Sequence, residues 1–196
     1  ASPPRKRSSA ATTSPPKLAL VQDEDPAPDL GSGSDASSTT DDEAPTSVAI
    51  KLSEVEIGED EARIVTGIEP LDRVLGGGFV IGSLVILGGE PGAGKSSILW
   101  QVLDAVNQPE ARLYATGEES ARQVVMTARR IGATRPQIHV VHETNIESVL
   151  WHARELRAKI VVVDSIHTAQ STASRGQPGS DHQVKTCCQL LRQFAK

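Results

Sequence analysis

The sequence predicts an α/β protein built on a mostly parallel sheet with helices on both faces. Three observations predict it. From residue 84 onward, short apolar runs alternate with segments of helical period, the order that builds parallel strands with right-handed crossovers. Ile160-Val161-Val162-Val163 is continuously apolar, as a strand covered on both sides must be. Glycines and capping residues stand at the joins between these segments.

The elements follow in order. Residues 1–47 carry no apolar periodicity, and the stretch 23–43 holds eight acids and no base. Such a segment cannot bury enough apolar surface to offset its chain entropy. It reads as a disordered acidic leader, with residues 48–196 as the ordered core. Within the core, Thr66–Leu75 has a short helical pattern that turns Leu71, Val74 and Leu75 inward and is ended by Gly76-Gly77-Gly78. Leu84-Val85-Ile86-Leu87 reads as a buried strand, and 97–106 as a helix with Ile98, Leu99, Val102 and Val106 on one face. Leu113-Tyr114-Ala115 is a second strand, followed by a helix over 119–131 that Gly132 stops.

Ile138–Val141 is a third strand. Thr144 and Glu147 then form a capping box for a helix with Ile146, Val149, Leu150, Ala153 and Leu156 on one face. After the strand at 160–163 comes a polar Gly/Ser loop over 170–180. Ser180 and Gln183 cap a last helix whose core stripe is Val184, Cys187, Cys188, Leu191 and Phe194. A further strand is due after this helix, so the fold reads as truncated at its C-terminus.

Charge is unevenly divided. Residues 1–61 hold 5 Lys/Arg against 13 Asp/Glu, a net −8, whereas residues 62–196 hold 15 against 12, a net +3. A mildly basic core is compatible with nucleic acid without requiring it. The two cysteines are neighbours, which speaks against a disulfide framework and against a four-ligand zinc site. No apolar stretch approaches the ~20 residues that cross a bilayer, so no membrane partner is expected. A reduced, intracellular setting is the simplest reading. The basic, acid-free residues 1–17 leave organellar targeting as the alternative.

The chemistry is carried by Gly89-Glu90-Pro91-Gly92-Ala93-Gly94-Lys95-Ser96, with Ser97 directly behind it. The segment satisfies G-x-x-x-x-G-K-[ST] at every fixed position, between a strand and a helix. That context aims backbone N–H groups and the positive helix end at an anion, and the glycines let the backbone curl around phosphate oxygens. Lys95 then reaches the β- and γ-phosphates of a bound nucleotide, and the Ser96 hydroxyl ligates Mg²⁺. Asp164, at the tip of the 160–163 strand, is the acid expected to hold Mg²⁺ from the other side. Hydrolysis needs a group to orient water. Glu118 leaves the 113–115 strand at the same sheet edge and is the preferred catalytic acid, with Glu119 as its alternative or as a partner for the helix N-terminus. Trp100 and Trp151 fall within helical patterns and read as packing residues.

Thr66-Gly67-Ile68, Leu71-Asp72 and Leu75-Gly76-Gly77-Gly78 ahead of the phosphate loop resemble the RecA-like ATPase superfamily. The closer resemblance is to the RadA, or Sms, family of bacterial DNA-repair proteins. It is carried by Lys51–Val55, Thr116-Gly117-Glu118-Glu119-Ser120, Val163-Asp164-Ser165-Ile166, Pro178-Gly179-Ser180 and Gln183-Val184-Lys185. The resemblance implies a RecA-like core and an ATPase acting on single-stranded DNA and branched recombination intermediates, in hexameric rings in the full-length family. It implies that Glu118 is the catalytic glutamate and that the 170–185 region contacts DNA, with Arg175 and Lys185 as candidate phosphate contacts. The sequence reads as a fragment of that family, without its four-cysteine zinc finger and its Lon-protease-like C-terminal domain. Two other readings stay open: a KaiC-like or replicative-helicase-like ATPase, and a nucleotide-binding module without useful turnover.

Overall fold

A computed structural model describes residues 50–54 and 62–196, together with the backbone of residues 18–23. Five strands form one parallel sheet in the order β4 (Leu84–Gly88), β1 (Leu18–Asp23), β7 (Ile160–Asp164), β5 (Arg112–Thr116), β6 (Ile138–His142). A separate antiparallel pair, β2 (Arg63–Ile64) with β3 (Phe79–Val80), flanks α1 in sequence and has no counterpart in the sequence-based expectation. The helices are α1 (Glu69–Val74), α2 (Lys95–Ala105), α3 (Ala121–Ile131), α4 (Ile146–Glu155) and α5 (Asp181–Ala195), and a single 3-10 turn covers Leu52–Glu54.

Period-2 alternation along the central strands divides the core into two layers. Tyr114, Ile160 and Val162 face α2 and α3, and they pack with Leu99, Trp100, Leu103 and Val124. Leu113, Ala115, Val161 and Val163 face the other way and pack with Ile146, Val149 and Ala153 of α4 and with Cys187 and Leu191 of α5. The parallel sheet with helices on both faces is therefore as the sequence predicts. Cys187 is a packing residue, and its burial pushes the thiol up to about 12.

Several local expectations are corrected. Leu18–Asp23, expected to belong to the leader without order, forms β1 between β4 and β7. The rest of that 1–47 expectation lies outside the described residues. The 84–87 run is not fully buried: β4 is at the sheet edge among the described residues, and Ile86 is 54% exposed. On α2 the buried face is Leu99, Trp100, Val102 and Leu103, while Ile98 is 40% exposed. The helix begins two residues earlier than expected, and Trp100 and Leu103 take the buried place expected of Ile98. Val74 of α1 points to solvent, whereas Leu71 and Leu75 pack inward.

Two caps also differ. The N-cap of α4 is Asn145, whose Oδ1 accepts from the Ser148 N–H at 2.7 Å, so the predicted Thr144–Glu147 box does not form. Ser180 is the N-cap of α5 by position but makes no side-chain capping bond, and Gln183 turns instead to the preceding loop. By contrast, α3 has a full capping box between Ser120 and Gln123, and it ends at Gly132 in the left-handed conformation. No helix among the described residues is long and apolar enough to cross a membrane.

Candidate active site

Parallel strands gather their C-terminal ends at one edge, and the chemistry-bearing residues are found there. β5 and β7 are in register with Thr116 opposite Asp164, so the segments leaving them start level. The phosphate-loop segment leaves β4 at the same edge. Gly92 and Gly94 take φ of +80° and +89°, and a Cβ at either would meet nothing within 4 Å. What these positions demand is therefore backbone conformation, which glycine adopts at no steric cost. Gly94 is the N-cap of α2 and offers no side chain to it, unlike the caps of α3 and α4. The first N–H groups of α2 thus receive no bond from a capping side chain, in the arrangement that receives anions.

Lys95 is 6% exposed, and its Nζ donates to the carbonyls of Gly89 at 2.7 Å and Glu90 at 2.9 Å. Those bonds account for two of the three donors of an ammonium. Glu90, Pro91, Gly92 and Ala93 are exposed at the loop crest, and Ser96 and Ser97 are half-buried in the first turn of α2. The Ser96 hydroxyl is hydrogen-bonded to the Asp164 carboxylate. Burial raises the Asp164 carboxyl above the ordinary carboxylate range. Hydrogen bonds from Tyr114 and Ser96 act against that rise, and the neighbouring charge of Glu118 adds to it.

Tyr114 carries more than the strand position the sequence gives it. Its hydroxyl donates to Oδ2 of Asp164, and the Ser96 hydroxyl lies beside both, with one proton to give to either oxygen. Burial, first, and the adjacent Asp164 charge push its ionisation far up, so it stays a donor. Its ring stacks on Trp100 of α2 at 4.3 Å between centroids and 22° between planes. A signal is present in the sequence: a tyrosine inside an apolar strand must find a partner for its hydroxyl.

Glu118 is exposed, two residues beyond the end of β5. The Thr116 hydroxyl accepts from the backbone N–H groups of Glu118 and Glu119, each at 3.3 Å, and bends the chain there. Gly117 allows that bend because a Cβ would lie 2.4 Å from Thr168 Oγ1 and 2.9 Å from Thr144 Cγ2. The Ser165 hydroxyl donates to Glu118 Oε1 at 2.9 Å, a contact that sequence reasoning does not supply. The one available signal is that Ser165 directly follows Asp164. Glu119 is also exposed; its carbonyl meets Nδ1 of His142 at 3.0 Å. The geometry therefore brings Lys95, Ser96, Asp164, Tyr114, Ser165 and Glu118 to one edge.

The residues expected to contact DNA lie elsewhere. Arg175 is exposed on the loop after β7 and Lys185 is exposed on α5. The loop itself is firmly held. Gln183, 3% exposed, accepts from the Ser171 N–H at 2.8 Å, and its Nε2 approaches the carbonyls of Ser171, Ser174 and Gly176 at 3.3, 3.0 and 3.3 Å. Glu147 accepts from the Ser171 hydroxyl at 2.6 Å and from the N–H and hydroxyl of Thr172 at 3.1 and 3.2 Å. Burial alone would raise the Glu147 carboxyl, but these bonds outweigh it and hold the group below its ordinary value.

Known proteins with related sequences bear on what this edge belongs to. The DNA repair protein RadA of Haemophilus influenzae is 42% identical over 145 residues, covering 74% of this chain and 31% of the relative. RadA of Escherichia coli is 42% identical over 146 residues, covering 74% and 32%. RadA of Bacillus subtilis is 40% identical over 146 residues, with the same coverage. The chain is RadA-like. The RadA-like chain spans about a third of the length of the curated relatives it matches. A family model described as a family of unknown function (DUF7125) matches residues 63–176, more than half of the RadA-like chain, which therefore also belongs to that family. The description of that family names no activity.

Proposed function

We propose that this chain is the ATP-binding and ATP-hydrolysing core of a DNA-repair protein. The observation that supports it best is the meeting, at one sheet edge, of a phosphate loop with an open helix N-terminus, the Ser96–Asp164 pair, and Glu118 held by Ser165. ATP phosphates would lie against the backbone N–H groups of residues 89–97, with Lys95 turned toward the β- and γ-phosphates. Ser96 and Asp164 offer oxygen donors on adjacent sides, the hard ligand set that suits Mg²⁺. Bound Mg²⁺ would supply neutralisation of the phosphate charge.

Glu118 would orient the attacking water, with Ser165 fixing one of its carboxylate oxygens. Lys95 would stabilise charge developing on the transferred phosphoryl group. The names of the relatives support a task in DNA repair. Single-stranded DNA and branched intermediates are the proposed partners, and Arg175 and Lys185 the proposed backbone contacts. Assembly into a ring of like subunits belongs to the same reading.

The test is Mg²⁺-ATP hydrolysis with and without single-stranded DNA, on the parent chain, Lys95→Ala and Glu118→Gln. DNA-stimulated turnover that both variants lose is the expected result. ATP binding without turnover in the parent would overturn the hydrolase reading and leave a nucleotide-binding module. Turnover insensitive to every nucleic acid tried would favour a RecA-like ATPase with another task.

A further inference from the structure

Tyr114 is the only tyrosine of the chain, and it stands at the centre of β5. Its ring lies against Trp100 of α2, the helix whose first turn carries Lys95 and Ser96. Its hydroxyl donates to Asp164 on β7 and lies beside the Ser96 hydroxyl, which can give its one proton to the phenol oxygen or to the Asp164 carboxylate. One side chain thus joins both groups read above as the Mg²⁺ side of the site, while its flat face is keyed to the helix that carries one of them. A phenol that served only to satisfy itself in the core would need a single acceptor, and a backbone carbonyl would suffice.

We infer that Tyr114 is a positioning residue for the divalent cation, tying the Asp164 carboxylate and the Ser96 hydroxyl into one preorganised pair. The inference rests on the reading of those two residues as the cation's protein ligands or as holders of its waters. The physical case is geometric. Mg²⁺ demands near-ideal octahedral geometry and tolerates little rotation of its carboxylate partner. A hydrogen bond to Oδ2 stops that rotation and leaves Oδ1 for the cation side. The Trp100 stack holds the ring in place. Outer hydrogen-bond partners of this kind change metal affinity by about 10- to 100-fold when removed.

Tyr114→Phe deletes the hydroxyl and keeps the ring and its stack. The measurement is binding of a fluorescent N-methylanthraniloyl ATP to the full chain as Mg²⁺ is titrated, and again in EDTA, for the parent, Tyr114→Phe, Asp164→Asn and the double variant. The expected result is a Mg²⁺ half-saturation raised about 10-fold or more in Tyr114→Phe, unchanged nucleotide affinity in EDTA, and a double variant no worse than Asp164→Asn. If Asp164→Asn raises the half-saturation and Tyr114→Phe leaves it alone, the positioning role is overturned and the reading of Asp164 stands. If neither substitution moves it, the reading of Asp164 fails and the inference with it. Equal losses in EDTA and in Mg²⁺ would assign Tyr114 to packing and overturn the inference. A second measurement needs no substitution. 3-Fluorotyrosine incorporated at this single tyrosine gives one ¹⁹F resonance, which should move on adding Mg²⁺ with ATP more than with ATP in EDTA. An equal response in both would count against the role.

Discussion

Ser165 donates a hydrogen bond of 2.9 Å to Glu118, joining the residue after Asp164 to the residue proposed to orient water. The two strands that deliver them end level with one another, so this contact follows from the pairing of Thr116 with Asp164. Ser165→Ala should keep ATP binding intact and lower turnover by roughly 5-fold, the value of about 1 kcal/mol for one net hydrogen bond. Steady-state kinetics that split kcat from KM would check it, with the whole effect expected in kcat.

Glu118→Gln removes the carboxylate but keeps the size and one acceptor. Turnover should fall by about 10²- to 10⁴-fold with nucleotide affinity preserved, because only the proton-accepting group is lost. Lys95→Ala should act in the opposite sense, weakening ATP binding itself by roughly 10- to 100-fold, as loss of a charge-assisted bond worth about 1.5–3 kcal/mol implies. Equilibrium binding and single-turnover rates on both variants separate the two outcomes.

Gly117→Ala tests the close approach behind Glu118. The added Cβ would sit 2.4 Å from Thr168 Oγ1 and 2.8 Å from Thr168 Cβ, so the turn must shift. A loss of about 1–3 kcal/mol is expected in denaturant unfolding, with turnover reduced as well because Glu118 moves with the turn.

Glu147 contributes to the pH dependence of stability. Its folded carboxyl lies below the ordinary value of 4.5, held there by Ser171 and Thr172 against the effect of burial. The sign is that of a depressed acid: the stabilisation is fully present above about pH 4.5 and is lost as pH falls through the lower folded value. Glu147→Gln should remove its share of the acid limb of the stability curve and leave that of Asp72, which is also held below its ordinary value. Urea midpoints measured from about pH 7 down to about pH 3 would show it.

Arg175 and Lys185 should behave as partners of a nucleic-acid backbone. Replacing either with Ala should weaken single-stranded DNA binding evenly across sequences and lessen the salt slope by about 0.7 for each phosphate that is no longer neutralised. Fluorescence anisotropy at several salt concentrations would read the slope directly.

How much of this is legible in the sequence depends on the range of the interactions. The strand at 160–164 announces itself through four consecutive branched apolar residues, and the stop of α3 through Gly132; both are local signals. The turn ahead of α2 is legible because Gly92 and Gly94 mark the positions that take positive φ. The α4 cap is misplaced by one residue because Thr144 and Asn145 are both cap types, and only the Ser148 bond tells them apart. β1 escapes a local reading because Leu18–Val21 is a four-residue apolar run inside Pro-rich and acidic flanks, and its partners lie far along the chain. The partners of Tyr114 and Ser165 are hidden for the same reason: Asp164 is on a different strand from Tyr114, and Glu118 follows a different strand from the one Ser165 follows.

The position of β1 sets the timetable on which the site is built. Residue 18 pairs with residue 160 and residue 19 with residue 84, so the sheet is knitted from its two most distant stretches. β4 and β7 hold no hydrogen bonds to one another and share only this intervening strand. Pairings of such long sequence separation are entropically slow to form. The segment 89–96 and Asp164 can therefore each be locally formed before they are brought together, and their meeting becomes a late event in folding, reached when β1 is inserted between β4 and β7.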